Sequence, residues 1–252
     1  MTDTERRFVP CAIIPVYRHA HLLEHFLPRI RAFGLPCIVV DDGNEKEQAD
    51  ILKRLCAETR SERLRLAVNA GKGAAVLQGM RHALALGYSH GIQVDADGQH
   101  NIDDIPRLLE WAGREPDAVI TGVPQYDDSI PRHRLYSRYI THFWVWVETL
   151  SMEIRDSMCG FRAYPLGATL AMADRVSLGR RMDFDTEVLV RLSWRGVPIR
   201  SMPTRVIYPD NGVSNFDLWR DNIAISWMHT RLCLGMLLRL PRLLWRRWIS
   251  KR

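Results

Sequence analysis

Two aspartates separated by one residue carry the clearest chemistry in the sequence. Asp95-Ala96-Asp97 follows a short apolar run that predicts a buried strand, and Gln99 comes two residues later. In an extended turn, both carboxylates of an Asp-x-Asp sequence can face one point. Hard oxygen ligands of this kind suit Mg²⁺ or Mn²⁺ bound together with a diphosphate. Taken alone, the same sequence is also typical of an acidic turn that caps the next helix.

Two further predicted strands end in polar residues. A strand at 11–16 leads into Tyr17, with Pro15 near its end, and a strand at 36–40 leads into Asp41 and Asp42. In open parallel sheets the ligand binds at the carboxyl ends of the strands. We therefore expect these residues to share one site with the Asp-x-Asp sequence.

A glycine-flanked lysine, Lys72, precedes a predicted helix within the segment 69–73. Glycines permit close approach of the backbone, and a helix N-terminus favours an anion. The spacing of a P-loop is absent, and a plain turn is an equally good interpretation of this segment.

The order of the predicted elements indicates an α/β fold. Apolar strands are predicted at 11–16, 36–40, 64–68, 91–94 and 118–121, and helices between them at 19–33, 45–59, 74–86 and 102–111. Continuously apolar strands predict a mostly parallel sheet covered by helices on both faces. The second half is less regular, with helices predicted at 136–150 and 184–195 and strands at 161–164, 199–203 and 205–208.

The basic excess of the chain sits at one end. The 252 residues include 35 Lys+Arg and 29 Asp+Glu, and six basic residues but no acid lie in 239–252. The rest is balanced, which argues against a nucleic-acid partner bound by a basic face. Five scattered cysteines without CxxC spacing fit a thiol-reducing compartment. No uncharged apolar run reaches the roughly 18–20 residues that span a bilayer, so we expect a cytoplasmic protein or one lying on a membrane.

From about residue 218, tryptophans and leucines alternate with arginines. On a helical wheel one side collects Arg231, Arg239, Arg242 and Arg246, and another collects Leu237, Leu240, Leu244 and Trp248. Pro241 is expected to kink or end a helix. The pattern predicts amphipathic helices in the headgroup region of a membrane, with packing on the body of the protein or on a dimer partner as the alternative.

Five motifs occur in the order found in one family: IPVY at 14–17, VVDDG at 39–43, NAGKGAA at 69–75, VDADGQH at 94–100 and DSMCGFRAY at 156–164. The chain resembles the family 2 glycosyltransferases, most closely their dolichol-phosphate-mannose-synthase-like branch. The resemblance runs over roughly residues 10–217 and implies a GT-A fold, a Rossmann-like α/β domain, for residues 1–217. The pattern of residues 218–252 predicts basic amphipathic helices on a membrane surface. It also implies inverting transfer of a sugar from a nucleoside-diphosphate sugar of the UDP or GDP type.

Carried over by position, the resemblance implies a set of donor-binding residues. Those expected to line the nucleoside pocket are Pro15, Tyr17, Val39 and Asp41, and the wider donor-binding set adds Asp42, Lys72, Ala96 and Arg134. Asp95 and Asp97 would hold the diphosphate and a divalent ion, Mg²⁺ or Mn²⁺, with Gln99 completing the metal site. Arg134 and Ser137 match a basic loop near the diphosphate, where positive charge neutralises the leaving group.

The acceptor is where the sequence departs from the branch. Its late Arg-x-x-Gly-x-Ser-Lys signature appears as PDNGVSN at 209–215, without the basic residues expected to grip a lipid phosphate. We therefore expect a lipid-like acceptor, either a polyprenyl phosphate or a lipid hydroxyl. A hydroxyl acceptor needs a base, for which we favour Asp156, then Glu187, with Asp185 as a further candidate. A structural ion pair is an equally good interpretation of Asp156 and Glu187.

The function expected from the sequence is a metal-dependent sugar transferase peripheral on the cytoplasmic face of the membrane. The alternative is a catalytically silent relative that recruits partners to the membrane. The missing basic residues motivate it, as do Arg18 and His19, which stand where the branch has Asn-Glu.

Overall fold

A seven-stranded sheet organises the chain in the computed structural model, which describes residues 8–125, 132–206 and 217–249, with the backbone alone for 132–137 and 249. The strands are β1 (Pro10–Val16), β2 (Cys37–Asp41), β3 (Glu62–Arg65), β4 (His90–Gln93), β5 (Val119–Gln125), β6 (Arg162–Pro165) and β7 (Ile199–Arg205). The helices are α1 (Ala20–Ala32), α2 (Lys46–Thr59), α3 (Lys72–Ala85), α4 (Ile105–Arg114), α5 (Arg132–Thr149), α6 (Leu166–Ala173), α7 (Phe184–Arg195) and α8 (Leu218–Ile249).

The strand order is β3-β2-β1-β4-β6-β5-β7. β1 pairs in parallel with β2 and β4, β2 with β3, and β5 with β7, whereas β6 runs antiparallel to both β4 and β5. The expectation of a mostly parallel sheet covered by helices is confirmed, and the reversed β6 lies inside the sheet, between β4 and β5.

Two apolar cores lie against the sheet, and alternate residues of β1 belong to different ones. Ile14 packs in the core formed with α1, α2 and α4, whereas Ile13 packs in the core formed with α3, α6 and α7. Burial on both faces explains why β1 and β2 are apolar at nearly every position rather than at every second one.

Several predicted boundaries differ from the structure. β3 begins and ends earlier than the predicted strand at 64–68, because it is a half-exposed edge strand, and Val68 beyond it is 72% exposed. Helix α6 has no counterpart among the predicted elements. β7 continues to Arg205, so it replaces two predicted strands, and residues 207 and 208 lie outside the described part of the chain.

α8 is one helix of 32 residues that packs on α5 and α7. Pro241 lies inside it and does not end it, which corrects part of that prediction; the burial of Leu243 just beyond stabilises the continuation. Apolar side chains of α8 that are buried include Met228, Leu232 and Met236. The helix therefore belongs to the main core along one side.

Of the four arginines that the helical wheel groups on one side of α8, three contact residues of α7, and Arg242 is exposed. Arg246 Nη1 donates to the carbonyl oxygens of Ser193 and Trp194 at the end of α7, at 3.0 and 3.1 Å. Arg239 lies over the Trp194 ring, 4.8 Å from its centroid, and Arg231 Nη2 donates to Glu187 Oε2 at 3.3 Å. Within the described residues, no helix combines the length and the apolar character needed to cross a bilayer.

Candidate active site

A cavity of about 1770 Å³ opens at the carboxyl ends of the parallel strands. Its wall includes Pro15 at the end of β1, Lys72 at the start of α3, and Asp95 just after β4. Side chains of α5 and α8, among them Trp144 and His229, line the same cavity. The expected convergence of strand ends is therefore present. Two helices that come later in the chain, α5 and α8, line the same cavity.

A charged cluster lies in the cavity wall. Lys72 Nζ donates to Asp95 Oδ2 and to Asp185 Oδ2, both at 2.7 Å, and Gln93 Nε2 donates to the other oxygens of the two carboxylates, at 3.3 and 3.1 Å. His100 Nε2 lies 3.3 Å from Asp95 Oδ2. These contacts hold both carboxylates in fixed positions at the end of β4.

The pKa values in this cluster follow from the pairing. Burial opposes the charged forms, but the charges of Asp185 and Asp95 raise the pKa of Lys72 above its ordinary value. Burial likewise opposes ionisation of Asp95, but Lys72 and His100 hold the pKa of this carboxyl below its usual range. Burial would lower the pKa of His100, yet its hydrogen bonds, with Asp95 first, raise it to about 10. Asp95 is therefore an ionised carboxylate at neutral pH.

The predicted metal ligands Asp95, Asp97 and Gln99 all line the cavity. Asp97 Oδ1 accepts a hydrogen bond from the backbone N–H of Gln99 at 3.0 Å, which closes the turn after β4. In the described residues no ion pair engages Asp97, and no group of three or more His, Cys, Asp and Glu side chains is arranged for a metal ion. Two carboxylates and an amide oxygen fit a hard divalent ion that keeps some ligands for a diphosphate and water.

Asp41 and Asp42 have different surroundings. Asp41 is fully buried; its Oδ1 accepts from Asn44, and its Oδ2 pairs with Arg63 at 3.0 Å. Asp42 lines the cavity and accepts hydrogen bonds from the backbone N–H groups of residues 70 and 71, at 2.7 and 3.1 Å. Burial raises the pKa of Asp42, and those N–H groups oppose the rise. Asp42 thus shapes the turn before α3.

Of the remaining residues predicted to bind the donor, three line the cavity and one is buried away from it. Pro15, Tyr17 and Ala96 line the cavity, whereas Val39 is fully buried inside β2 and is not among the lining residues. Arg134 lies in the first turn of α5 and Ser137 in the second, and the side chains of both fall outside the described residues.

Of the three predicted bases, Asp185 alone lines the cavity. Asp156 accepts from Arg138 Nε at 2.7 Å, with His142 3.4 Å away, and from two backbone N–H groups at 2.8 Å. Burial opposes its ionisation, but His142 and Arg138 hold the pKa of Asp156 well below its usual range. A carboxylate so paired is a weak proton acceptor.

Glu187 is likewise occupied. It is fully buried, pairs with Arg191 at 2.7 Å, and accepts from the backbone N–H of Gly179 at 2.7 Å as well as from Arg231. The structural interpretation of Asp156 and Glu187, which stood beside the catalytic one, therefore accounts for their surroundings.

Two buried polar residues, Arg162 and Gln93, organise the cluster and were not predicted from the sequence. Arg162 is fully buried and donates to Ser157 O at 2.7 Å, Asp185 O at 2.5 Å and Thr121 Oγ1 at 3.1 Å. Gln93 is also fully buried. A polar residue inside a buried strand is a usable signal for both, because burial without hydrogen-bond partners is costly.

The sequence matches the family model described as "Glycosyl transferase family 2" over residues 11–180. That range includes β2 to β6, all of β1 except Pro10, the charged cluster except Asp185, and the Asp-x-Asp turn.

Several curated relatives are sugar transferases by name. The undecaprenyl-phosphate mannosyltransferase of Micrococcus luteus is 26% identical over 245 residues, covering 89% of this chain and 98% of the relative. The undecaprenyl-phosphate 4-deoxy-4-formamido-L-arabinose transferase of Pseudomonas fluorescens is 31% identical over 160 residues, 60% of this chain and 45% of the relative, so the chain spans about half of that protein. The UDP-N-acetylglucosamine–dolichyl-phosphate N-acetylglucosaminyltransferase of Methanococcus voltae is 22% identical over 216 residues, covering 79% and 85%.

Solved structures share the fold. Glucosyl-3-phosphoglycerate synthase from Mycobacterium tuberculosis superposes with a TM-score of 0.60 at 11% identity, covering 90% of this chain and 79% of that one. A mannosyltransferase from Pyrobaculum calidifontis, solved with GDP-Man and Mn²⁺, gives a TM-score of 0.60 at 16% identity, covering 92% and 66%. The expected GT-A fold is confirmed.

Proposed function

Because the chain belongs to glycosyl transferase family 2, and to its dolichol-phosphate-mannose-synthase-like branch, we propose that it moves a sugar from a nucleoside-diphosphate sugar to a lipid-like acceptor at a membrane surface. The observation that carries this proposal is the single cavity in which the strand ends, the charged cluster and two helices meet. We call the cavity residues in 15–18, 69–72 and 95–99 the donor wall, and the cavity residues of α5 and α8 the acceptor wall.

The donor wall suits a nucleoside diphosphate. Tyr17, beside Pro15 at the end of β1, offers an aromatic surface for the base or ribose. The backbone N–H groups at the start of α3 and the ammonium of Lys72 offer positive charge near the phosphates. Lys72 is already held by Asp95 and Asp185, so its position is fixed before the donor binds.

Asp95, Asp97 and Gln99 are the residues that would hold a divalent ion with the diphosphate, as implied by their oxygen donors and their place in the wall. A bound Mg²⁺ or Mn²⁺ supplies positive charge that stabilises the departing diphosphate. The Pyrobaculum mannosyltransferase, which shares the fold, holds GDP-Man and Mn²⁺.

The acceptor is a lipid phosphate or a lipid hydroxyl. The named relatives transfer sugars to undecaprenyl or dolichyl phosphate, which supports a polyprenyl phosphate. The segment 209–215, where the branch has basic residues, lies outside the described part of the chain. The residues of the donor wall do not select between a lipid phosphate and a lipid hydroxyl as the acceptor.

A membrane surface explains the outer side of α8. Large apolar side chains there are exposed, with Trp219 and Leu238 at 83% and 84%, and α5 adds exposed Ile140 and Phe143 beside it. Exposed apolar surface this extensive marks an interaction site, and interleaved tryptophan and arginine residues suit the membrane interface. The domain 1–217 and the segment 218–252 would thus together present the acceptor wall, formed by α5 and α8, to the cytoplasmic face of the membrane.

Calorimetric titration with UDP and GDP, each with and without Mn²⁺, tests the donor assignment. We expect one nucleotide to bind in a metal-dependent way, and Asp97→Asn to weaken it about tenfold or more while leaving the melting temperature near that of the wild type. The matched control is Asp103→Asn, because Asp103 is an exposed acid paired with Arg29 and is not among the cavity residues.

Equal nucleotide binding by the wild type and Asp97→Asn would contradict the role of Asp97. Binding without turnover of any donor would favour the alternative, a catalytically silent scaffold at the membrane.

A further inference from the structure

The carboxylate that was expected to line the nucleoside pocket does not reach it. Asp41 is fully buried and is not among the residues that line the cavity. Its two oxygens are taken by Asn44 and by Arg63. Asp41 therefore does not accept a hydrogen bond from a nucleobase, and the base must be recognised by other residues at the end of β1.

Arg18 enters the cavity wall in a backbone conformation that arginine rarely adopts. Its φ is 63°, in the left-handed region. Two other non-glycine residues among those described have a positive φ, Arg60 and Leu150, and each directly follows a helix, where this conformation is common. Arg18 lies instead in the turn between β1 and α1. Such strain persists only where the surrounding structure enforces it, and it is typical of ligand-binding turns.

The side chain of Asn44 enforces this turn. Its Oδ1 accepts a hydrogen bond from the backbone N–H of Arg18 at 2.7 Å. Its Nδ2 donates to the carbonyl oxygen of Val16 at 2.8 Å and to Asp41 Oδ1 at 2.9 Å. Asn44 is itself buried. The Asp41 carboxylate thus holds Asn44, and Asn44 holds the backbone of Arg18.

The guanidinium of Arg18 lies beside the aromatic surface proposed for the base. Its Cζ is 4.9 Å from the centroid of the Tyr17 ring, a distance at which the ring attracts a cation. Arg18 is exposed, and within the part of the chain that the structure describes no hydrogen bond or ion pair engages its guanidinium. A base that packs against Tyr17 therefore has these N–H donors within reach.

The N–H donors of a guanidinium distinguish the bases from one another. Guanine presents two neighbouring acceptors, O6 and N7, to which an arginine donates two hydrogen bonds at once. Adenine carries an amino group beside N7, and cytosine carries one in place of the carbonyl, so both would direct a donor at the arginine. Uracil offers O4 without a second acceptor next to it. A two-pronged arginine contact therefore favours guanine.

We propose that Arg18 recognises guanine through O6 and N7, so that the donor is a GDP-sugar; this inference rests on the function proposed above. Asn44 is the positioning residue that fixes the turn carrying Arg18. A guanidinium that only attracted the diphosphate would not distinguish one base from another, and a lysine could replace it.

The test is calorimetric titration of the full chain with GDP, UDP and 7-deaza-GDP at one Mn²⁺ concentration. 7-Deaza-GDP carries a C–H group in place of N7 and so lacks one of the two acceptors. The variants are Arg18→Met and Arg18→Lys, which both keep a Cβ at the strained position. Arg239→Met is the matched control, because Arg239 also lies over an aromatic ring, 4.8 Å from the centroid of Trp194, but is not among the cavity residues.

For the wild type we expect GDP to bind about tenfold tighter than UDP or more, and 7-deaza-GDP to bind about fivefold more weakly than GDP. Both Arg18 variants should bind GDP about tenfold more weakly, because lysine keeps the charge but not the planar pair of donors. Their binding of UDP should stay within about threefold of the wild type. Arg239→Met should keep the preference for GDP, and all variants should melt near the wild-type temperature.

UDP binding that equals or exceeds GDP binding in the wild type overturns the proposal and leaves the transferase assignment intact. Equal binding of GDP and 7-deaza-GDP does the same, and this comparison needs no variant. GDP binding by Arg18→Lys at wild-type strength, or an equal loss of GDP and UDP binding in Arg18→Met, also overturns it, since charge alone would then explain Arg18. Failure of the wild type to bind any of the nucleotides overturns the donor assignment and this proposal together.

Discussion

The two walls of the cavity are built by different means. The donor wall consists of turns that follow parallel strands, and its charges are held by close contacts such as those of Lys72 to Asp95 and Asp185. The acceptor wall consists of side chains on two helices, where His229 on α8 pairs with the buried Glu148 on α5. Chemistry held by strand ends is fixed before the ligand arrives, whereas chemistry on α8 depends on how that helix packs.

The largest effect is expected at Arg162, whose hydrogen bond to the backbone carbonyl of Asp185 supports the charged cluster. Arg162→Met would leave the carbonyl oxygens of Ser157 and Asp185 without their donor, so the free energy of unfolding should fall by about 3–5 kcal/mol. Urea unfolding measures it. The control Arg200→Met removes an exposed arginine that pairs with Glu115, and should cost at most about 1 kcal/mol. Equal losses in the two variants would contradict the supporting role.

Gly160→Ala tests how precisely the Asp95 carboxylate of the donor wall must be positioned for sugar transfer. A Cβ at this position would lie 2.2 Å from Asp95 Oδ2, so the carboxylate must move. Displacing a positioned group by about 1 Å can cost about 10²-fold in activity, and we expect a loss of that size in sugar transfer. Gly167→Ala in α6, where nothing lies within 4 Å, is the control and should keep full activity. Wild-type transfer by Gly160→Ala would show that Asp95 need not occupy its present position.

Replacing Asp156 tests whether this carboxylate, which lies outside both walls, contributes to the free energy of unfolding. Because its pKa is lower in the folded state than in the unfolded chain, its contribution is present above the unfolded pKa of about 3.9 and is lost as the pH falls through the folded value. Asp156→Asn should therefore lower the free energy of unfolding by about 1–3 kcal/mol at neutral pH, and the difference should shrink below about pH 4. A difference that does not change with pH would contradict this account.

The smallest effect is expected on the outer side of α8. Leu238→Glu places a charge on the most exposed leucine of that helix and should weaken co-sedimentation with phosphatidylglycerol-containing vesicles about tenfold, without changing the melting temperature. Leu84→Glu, on exposed α3 surface, is the control and should bind vesicles as the wild type does. Unchanged vesicle binding by Leu238→Glu would contradict the proposal that the outer side of α8 binds the membrane.

The sequence predicted the donor wall far better than the acceptor wall. Continuous apolar runs located β1, β2 and β4, and the polar residues just after them, such as Asp95, had to meet at one edge of a parallel sheet. No such rule relates Glu148 to His229, which are 81 residues apart and meet only because α8 packs on α5. The helical wheel separated arginines from leucines correctly, but periodicity does not tell which side faces the protein.

The ion pairs of the site were equally hard to predict. Asp156 and Asp41 stand in motifs that imply binding, yet Arg138 and Arg63, both distant in sequence, occupy their carboxylates. A partner brought by tertiary structure decides whether an acid is reactive or structural, and the sequence names only the acid.

The central claim is that one cavity brings a nucleotide sugar and a lipid together for transfer. Its most direct test is the appearance of radiolabelled sugar in the organic phase when the wild type, Asp97→Asn or Asp103→Asn is incubated with labelled donors and membrane lipid. We expect transfer by the wild type and by Asp103→Asn, and a loss of about 10²-fold or more in Asp97→Asn. Nucleotide binding without any labelled lipid, or full transfer by Asp97→Asn, would contradict the account.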